Sequence, residues 1–421
     1  MDDKKAIIIS LQDNNDEIER LAKSLGYSVI KTFIQHRDKP NPSFYIGGGK
    51  IKEIKEYVEK RGVRCVIVNE KLHPSQWYNM ENFLNVKVYD RIRLILDIFA
   101  DRAKRKEAKL QVKLAYLRYE RSYIRELIHR AKTGEHPGFM GGGEYQVANY
   151  YEMIKKQMKR IKEELEKIGQ ERESHRRYRW KKGFYLIAVA GYTNAGKSSL
   201  LNRLTGEHVK VEERLFSTLS TTTRAIKQKK GTKTIPILIT DTIGFIRDLP
   251  HWLVDSFHST LEEIELSDMV ILLVDIGEEV DTLIEKTELS IKEIMSMRAH
   301  PNVIVGLNKA DKISKREKEM KLESIKKIIG NRPYVFLSAK TGENIEQLIE
   351  LVYDLLPNNV IMEIKFPQEA REDLSSIFNE DVDVLDFGCT PDGKICISCS
   401  DRLKEKVMGR LIKRGAQVKI I

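Results

Sequence analysis

The chain is poor in cysteine, has no long uncharged apolar run, and lacks a glutamine at the one place where its own motifs call for it. Each absence excludes something. No stretch of about 18 uncharged apolar residues is present, so no transmembrane helix is expected. The apolar part of the start "MDDKKAIIIS" is too short for a signal peptide, so a cytoplasmic protein is expected. The four cysteines, Cys65, Cys389, Cys396 and Cys399, include one CxxC pair, which raises a zinc or redox reading. "GKICISCSDR" alternates like a strand after the turn "TPDG", however, so Cys396 and Cys399 face opposite sides and do not converge easily on one metal. Reduced, ordinary thiols are the expectation. No repeat of solenoid period is visible. A Cys/His nucleophile constellation and a nucleoside-cofactor motif are also missing, which leaves an RNA-modifying enzyme without support.

What is present is length and positive charge. At 421 residues the chain exceeds one ordinary core, and about three domains follow from the usual size range. Net charge is +11, and residues 101–183 alone carry 23 Lys and Arg against 12 Asp and Glu, a surplus equal to that of the whole chain. Such a concentrated basic element suits a phosphate backbone as partner. A solvated helix face laced with ion pairs explains the same count, and charge alone does not decide between them.

Residues 1–97 alternate β-branched runs ("AIIIS", "SVIKTF", "RCVIVN", "VKVYD") with amphipathic helices, which predicts a small α/β domain with a mainly parallel sheet. From "DRIRLILDIFADRAKRKEAKLQ" the pattern stays helical for about 40 residues without proline or glycine, and a helix that long needs a partner. "YQVANYYEMIKKQMKRIKEELEKIGQ" supplies one after the glycine-rich break "TGEHPGFMGGGE", so residues 98–182 read as a basic antiparallel helical hairpin. Gly141, Gly142 and Gly143 at its turn read either as a flexible loop or as bare backbone meeting RNA phosphate. Residues 183–357 return to near-continuous apolar strands, the mark of a doubly wound sheet buried on both faces. Residues 360–421 read strand, helix, strand, strand, helix, strand, a small α+β domain of ferredoxin-like type.

The chemistry sits in the third segment. "GYTNAGKSS", residues 191–199, lies between the strand "LIAVA" and the helix "SLLNRLTG", the context that gives GxxxxGK[ST] its physical meaning. Gly191, Tyr192, Thr193, Asn194, Ala195, Gly196, Lys197, Ser198 and Ser199 would wrap phosphates with backbone N–H groups at the positive end of a helix. Lys197 would reach the β- and γ-phosphates and Ser198 would ligate Mg2+. Asp241 of "DTIG" would hold Mg2+ through water, and the Gly244 N–H would touch the γ-phosphate. In "FSTLSTTTR" one threonine should close over Mg2+, with Thr222 the choice among four. Asp311 of "NKAD" can accept from guanine N1–H and N2–H2, which adenine does not present, and Asn308 can bind the N7/O6 edge, with Lys309 between them. "FLSAK" adds Ser338, Ala339 and Lys340, with the Ala339 N–H aimed at guanine O6. In this order, each string after a strand, the motifs specify GTP or GDP, with Lys197, Thr222 and Gly244 as the catalytic set. Loss of the γ-phosphate contacts on hydrolysis makes the domain a switch.

With these motifs in place, the chain resembles the HflX-type GTPases of the translation-factor class. The carrying strings are "YIGGGKIKEI", "DRIRLILDIFADRAKRKEAKLQVKLAYLRY", "GYTNAGKSSLLNRLTG", "LFSTLSTTTR" and "DTIGFIRDLPHWLVDSFHSTLEE", and the resemblance covers residues 1 to about 357. It implies a monomeric P-loop GTPase that associates in its GTP state with the large ribosomal subunit and its rRNA, and in bacterial relatives splits stalled ribosomes. A GTP-regulated ribosome-assembly or anti-association scaffold shares every motif and is the alternative. At the hairpin turn this chain departs from the bacterial Arg-Gly-x-Gly-Glu-Thr-Gln pattern, with "GFMGGGEYQVANYY" keeping the glycines and Glu144 but losing the arginine and the Thr-Gln pair.

The absent glutamine is at Phe245, directly after "DTIG", where many switch GTPases place the residue that orients the attacking water. The resemblance implies that an apolar residue here is compatible with hydrolysis. Turnover alone is then expected near the roughly 10^-4 s^-1 of unassisted switch GTPases, with a partner supplying about 10^3- to 10^5-fold. Asn194 offers a second route, because in some related GTPases its position helps hold K+ against the phosphates; a loop asparagine bonded to backbone is the plainer reading.

Overall fold

The computed structural model describes residues 4–133, 143–206, 222–226, 237–242, 244–247, 250–256, 258–297, 301–357, 360–365, 384–389, 395–413 and 415–421. The chain forms two compact units: Met1–Ile168 with Glu213–Leu219 and Asp248–Phe257, and Gly169–Glu212 with Ser220–Arg247 and His258–Ile421.

The first unit opens with four parallel strands, β1 (Lys4–Ser10), β2 (Tyr27–Ile34), β3 (Cys65–Val68) and β4 (Lys87–Asp90), in the order β2-β1-β3-β4. The apolar runs of β1 and β3 are buried throughout their central residues, as a parallel sheet covered by helices requires. Helices α1 (Asp16–Ser24), α2 (Gly48–Arg61) and α3 (Pro74–Leu84) connect them. Local chemistry sets their ends: acidic Asp16, Glu17 and Glu19 lie at the positive end of α1, Gly62 closes α2 in the left-handed region, and Pro74 opens α3. Asp90 then caps α4 (Arg91–Arg102) by accepting from the Arg93 N–H at 2.8 Å.

The helical run expected to continue unbroken from residue 90 is interrupted. α4 ends at Arg102 with Ala103 as its cap, and a new helix, α5 (Lys106–Thr133), begins at Lys106. No proline or glycine marks the break. Its cause is tertiary: α4 buries Ile92, Leu94, Ile95, Leu96, Ile98 and Phe99, nearly all round, whereas α5 turns Leu114, Leu117 and Ile124 toward Ile154, Met158 and Ile161 of α6 (Gly143–Lys181). Lys106 paired with Glu164, and Arg125 bonded to Tyr151, fix α5 and α6 as antiparallel. Gly143 begins α6; Gly141 and Gly142 lie outside the described residues. The charge count now resolves in part, because Lys155–Glu152, Lys159–Glu163 and Arg177–Glu173 are ion pairs along α6.

The second unit holds a six-stranded sheet in the order β10-β9-β8-β5-β7-β6, made of β5 (Tyr185–Gly191), β6 (Thr222–Ala225), β7 (Ile237–Asp241), β8 (Met269–Asp275), β9 (Asn302–Asn308) and β10 (Tyr334–Phe336). All pairings are parallel except β6 with β7. α7 (Lys197–Thr205) and α12 (Ile345–Leu355) bring Leu200, Leu204, Leu348 and Val352 to one face, while α10 (Val280–Met295) and α11 (Lys315–Ile329) bring Leu283, Ile294 and Ile325 to the other. After β7 come two short helices, α8 (His251–Ser256), which belongs to the first unit, and α9 (His258–Glu265), which belongs to the second.

A separate antiparallel sheet, β12-β13-β11-β14, comprises β11 (Val360–Lys365), β12 (Val384–Cys389), β13 (Ile395–Cys399) and β14 (Gln417–Ile420), covered by α13 (Lys404–Lys413). The helix expected over 367–378 lies outside the described residues. Cys396 and Cys399 both fall on β13, Cys399 buried and Cys396 half-buried, and burial pushes the Cys399 thiol up to about 11. Arg402 fastens this sheet to the six-stranded sheet, with its guanidinium 4.3 Å from the centre of the Tyr185 ring and paired with Asp268. Among the described residues no helix is long and apolar enough to cross a membrane.

Candidate nucleotide site

β5 ends at Gly191 and α7 begins at Lys197, so the motif loop is stretched between a buried strand and a helix N-terminus. Its path depends on glycine. Gly196 has φ +99°, and a Cβ there would stand 2.2 Å from Asn308 Nδ2; Gly191 has φ +143°, and a Cβ would stand 2.4 Å from the Leu273 carbonyl oxygen. Asn194 also takes a left-handed conformation, φ 64°, which asparagine tolerates better than most residues. The loop closes on itself through Ala195 N–H donating to Tyr192 O at 3.2 Å.

Lys197 is buried, and its ammonium donates to Gly191 O at 3.1 Å and Tyr192 O at 2.9 Å. Burial pulls its pKa down to about 8, only partly opposed by the Asp241 charge. A buried cation satisfied by neutral carbonyls is suited to an anion that supplies the missing counter-charge. Gly244 lies against it: a Cβ there would stand 2.8 Å from Lys197 Nζ and 2.9 Å from Thr193 Cγ2.

The Ser198 hydroxyl donates to Asp241 Oδ2 at 2.9 Å, which brings together two oxygen donors from α7 and the end of β7. A hydroxyl and a carboxylate beside a phosphate cradle fit Mg2+, which takes few protein ligands and completes its shell with water and phosphate oxygens. Thr242 anchors the strand end, its Oγ1 donating to Val189 O at 2.7 Å. Thr222 is the first residue of β6, its backbone directly opposite Asp241 in the ladder. Thr223, a rival candidate, has its hydroxyl 3.4 Å from Thr240 Oγ1, while Thr218 and Thr221 lie outside the described residues.

Asn308 closes β9 beneath the loop. Its Nδ2 donates to Ala195 O at 2.7 Å and its Oδ1 accepts from the Ala339 N–H at 2.9 Å, so one amide ties the phosphate loop to the "SAK" loop. Lys309, φ 65°, pairs with Asp275 at the end of β8, 2.5 Å away. Asp311 is exposed, and the Ser338 hydroxyl beside it holds its carboxyl below the ordinary carboxylate range. Ser338 itself is fully buried and also accepts from the Thr341 N–H at 3.1 Å. From α7, Arg203 reaches the same loop, bonding the carbonyls of Ala339 and Lys340. Sequence reasoning missed Asp275 and Arg203; an aspartate ending the apolar run "MVILLVD" was the one available signal.

Phe245 is 7% exposed and belongs to the apolar core with Tyr192 and Ile264. Its N–H donates to Gly191 O and its carbonyl accepts from the Thr193 N–H, both at 3.0 Å, so it is stitched to the phosphate loop by backbone while its ring is packed away. The neighbouring Arg247 N–H donates to the Tyr192 hydroxyl at 2.9 Å.

Residues 186–309 match the family described as a 50S ribosome-binding GTPase, and residues 12–100 and 102–179 match the N-terminal and middle regions of a GTP-binding GTPase. The GTPase HflX of Methanocaldococcus jannaschii is 38% identical over 399 residues, 94% of this chain and 95% of that protein. The GTPase HflX of Thermococcus kodakarensis is 41% identical over 354 residues, 83% of this chain and 78% of that protein. A solved structure, SsGBP in complex with GDP, is 29% identical and aligns with a TM-score of 0.50 over 84% of this chain and 98% of its own. By that extent of likeness the chain belongs to the HflX family of GTPases, and it is a GTP hydrolase.

Proposed function

We propose that the protein is a GTP-operated factor of the large ribosomal subunit, with slow hydrolysis alone and faster hydrolysis on the subunit. The observation that carries this reading is the charge of residues 101–183, whose surplus of 11 equals the net charge of the whole chain and forms one helical hairpin. The description of the matching GTPase family as 50S ribosome-binding supports it. Such a factor is built from an α/β domain of residues 1–97, the hairpin of 98–182, the GTPase domain of 183–357 and a ferredoxin-like domain of 360–421, whose strand order β12-β13-β11-β14 is the one such a fold uses.

Within the nucleotide site, backbone N–H groups of Asn194 to Ser198 bind the phosphates and Lys197 trades its two carbonyl partners for β- and γ-phosphate oxygens. Ser198 and Thr222, with Asp241 through a water, would hold Mg2+, which would supply positive charge against the phosphates. The Gly244 N–H bonds the γ-phosphate, and Asp311, held in its charged form by Ser338, reads guanine. Asn308 acts as the brace that keeps the phosphate and base loops in register. Asn194 is the candidate to help hold K+. Phe245 contributes no group to water, so placing the nucleophile falls to the subunit-bound state.

Sedimentation with large subunits in GDP and in a non-hydrolysable GTP analogue, over a salt series, tests this. Association only with the analogue, weakening steeply with salt, is expected. Equal association in both nucleotides, or a GTPase rate unmoved by subunits, sinks it. Adding the protein with GTP to assembled ribosomes separates a splitting factor from one that only retains free subunits.

A further inference from the structure

The first unit contains an open cleft of about 480 Å³ beside α5 and α6. Its lining comes from four places in the chain: Lys71 after β3, Arg118, Arg121 and Ser122 from α5, Lys162 from α6, and Trp252 from α8. Ion pairing is uneven along the hairpin: some of its lysines pair with glutamates, while Lys109, Lys113 and Lys156 make no ion pair with any described residue. Lys106, Lys155 and Lys159 each pair with a glutamate, whereas Lys71, Arg121 and Lys162 make no ion pair with any described residue. Three cations left without counter-charge around one hollow, with a half-buried indole beside them, are the elements of a site for phosphate next to a stacking base. Arg118 has another duty. Its Nη1 donates to Trp252 O at 2.8 Å and Ser256 Oγ at 2.9 Å, which clasps α8 to α5. α8 is the direct continuation of the "DTIGFIRDLP" segment that carries Asp241 and Gly244.

We propose that this cleft binds the phosphate backbone of an RNA strand, with Trp252 stacking on a base, and that α8 couples its occupancy to the nucleotide state. The inference rests on the ribosomal reading above but names its contact. Guanidinium, ammonium and hydroxyl donors face the hollow, which matches phosphate oxygens, while an acidic protein segment would leave the indole without a planar partner.

The test uses the full chain and a fluorescein-labelled oligouridine, followed by anisotropy over a salt series. Replacing Lys71, Arg121 and Lys162 together by glutamine should weaken binding about tenfold or more and flatten the salt slope by about 2, as three single-strand phosphate contacts require. Replacing Lys106, Lys155 and Lys159 by glutamine removes equal charge from ion-paired positions and should change binding far less. Equal losses in the two triple variants would mean diffuse attraction and overturn the site. Binding of inorganic phosphate or AMP in the cleft without binding of oligouridine overturns the RNA assignment. Tryptophan quenching by oligouridine should disappear in Trp252→Phe. Oligouridine affinity should differ about fivefold or more between GDP and a non-hydrolysable GTP analogue. Ser256→Ala should shrink that difference with GTP affinity unchanged, and identical affinities in both nucleotide states overturn the coupling. Because the probe is isolated RNA, failure to sediment with subunits leaves this result standing, and subunit binding indifferent to the cleft triple variant removes the cleft alone.

Discussion

Lys197 is buried and bonded to two backbone carbonyls, whereas Lys71, Arg121 and Lys162 stand exposed or half-buried with no ion pair among the described residues. Both sets are cations suited to phosphate, yet the physics differs. The buried cation carries a desolvation cost that geometry must offset, and in return its direction is fixed to a fraction of an ångström. The exposed cations cost little to hold and are screened by salt, so they give attraction without fixed direction. On the reading proposed above, one region selects a molecule and the other gathers a polymer. That contrast can be pressed by substitution, from the largest expected effect downward.

The sharpest test of selection is at Asp311, the proposed reader of the base: its carboxylate can accept from guanine N1–H and N2–H2, and changing it to Asn would put a donor where guanine also has donors. GTP affinity relative to xanthosine triphosphate, whose 2-oxo group accepts, should shift by about 10^4. Retained preference for GTP in a competition assay would show that Asp311 does not read the base.

Lys197→Met should weaken GTP binding by about 10^2-fold or more, the cost of leaving bound phosphate without its buried cation. The same change should stabilise the nucleotide-free protein. The Lys197 pKa is pulled from 10.5 in the reference state to about 8 in the fold, so between those values the unfolded chain binds more protons and stability rises with pH. Wild type therefore bears a penalty of order 3 kcal/mol at pH 7 that is relieved as pH climbs from 8 toward 10.5. Chemical denaturation of the two proteins without nucleotide should show the variant ahead at pH 7 and the gap closing by about pH 10. A gap independent of pH would mean that packing, and not charge burial, separates them.

Phe245→Gln asks whether the missing glutamine can be put back. Its ring is 7% exposed among Tyr192 and Ile264, so a glutamine would bury an amide without partners and lower stability by about 2 kcal/mol. Intrinsic GTP turnover should not rise. A tenfold faster single-turnover rate would mean that this position does face the attacking water.

How much of this was legible in the sequence depended on distance along the chain. "GYTNAGKSS" announces its loop because glycine at 191 and 196 answers a backbone demand met within a few residues. The strands of both α/β sheets announce themselves through unbroken apolar runs. The break at Ala103 does not, since no local breaker causes it; only the different partners of α4 and α5 do. Asn308 was found as part of "NKAD", but its bonds to Ala195 and Ala339 span 113 and 31 positions and have no local signature. The basic cleft is the extreme case, with residues 71, 121, 162 and 252 brought together by packing alone, so the charge count located the element but not the site.

Arg203 offers the finest probe of the contrast because it mixes the two regimes. It is exposed like the cleft cations, yet it is bonded like Lys197 to backbone carbonyls, those of Ala339 and Lys340. Exposure limits what the bonds contribute to about 0.5–1.5 kcal/mol, so Arg203→Ala should speed GDP dissociation by no more than about tenfold. Hydrolysis of bound GTP should stay unchanged, since the "SAK" loop is proposed to serve the base and not the γ-phosphate. The discriminating measurement is salt. Carbonyl partners carry no net charge, so the ratio of variant to wild-type dissociation rates should be nearly flat between low and high salt, unlike the steep dependence expected of the cleft. A ratio that collapses at high salt would place Arg203 with the gathering cations, acting on nucleotide phosphate at a distance and not through the loop it touches.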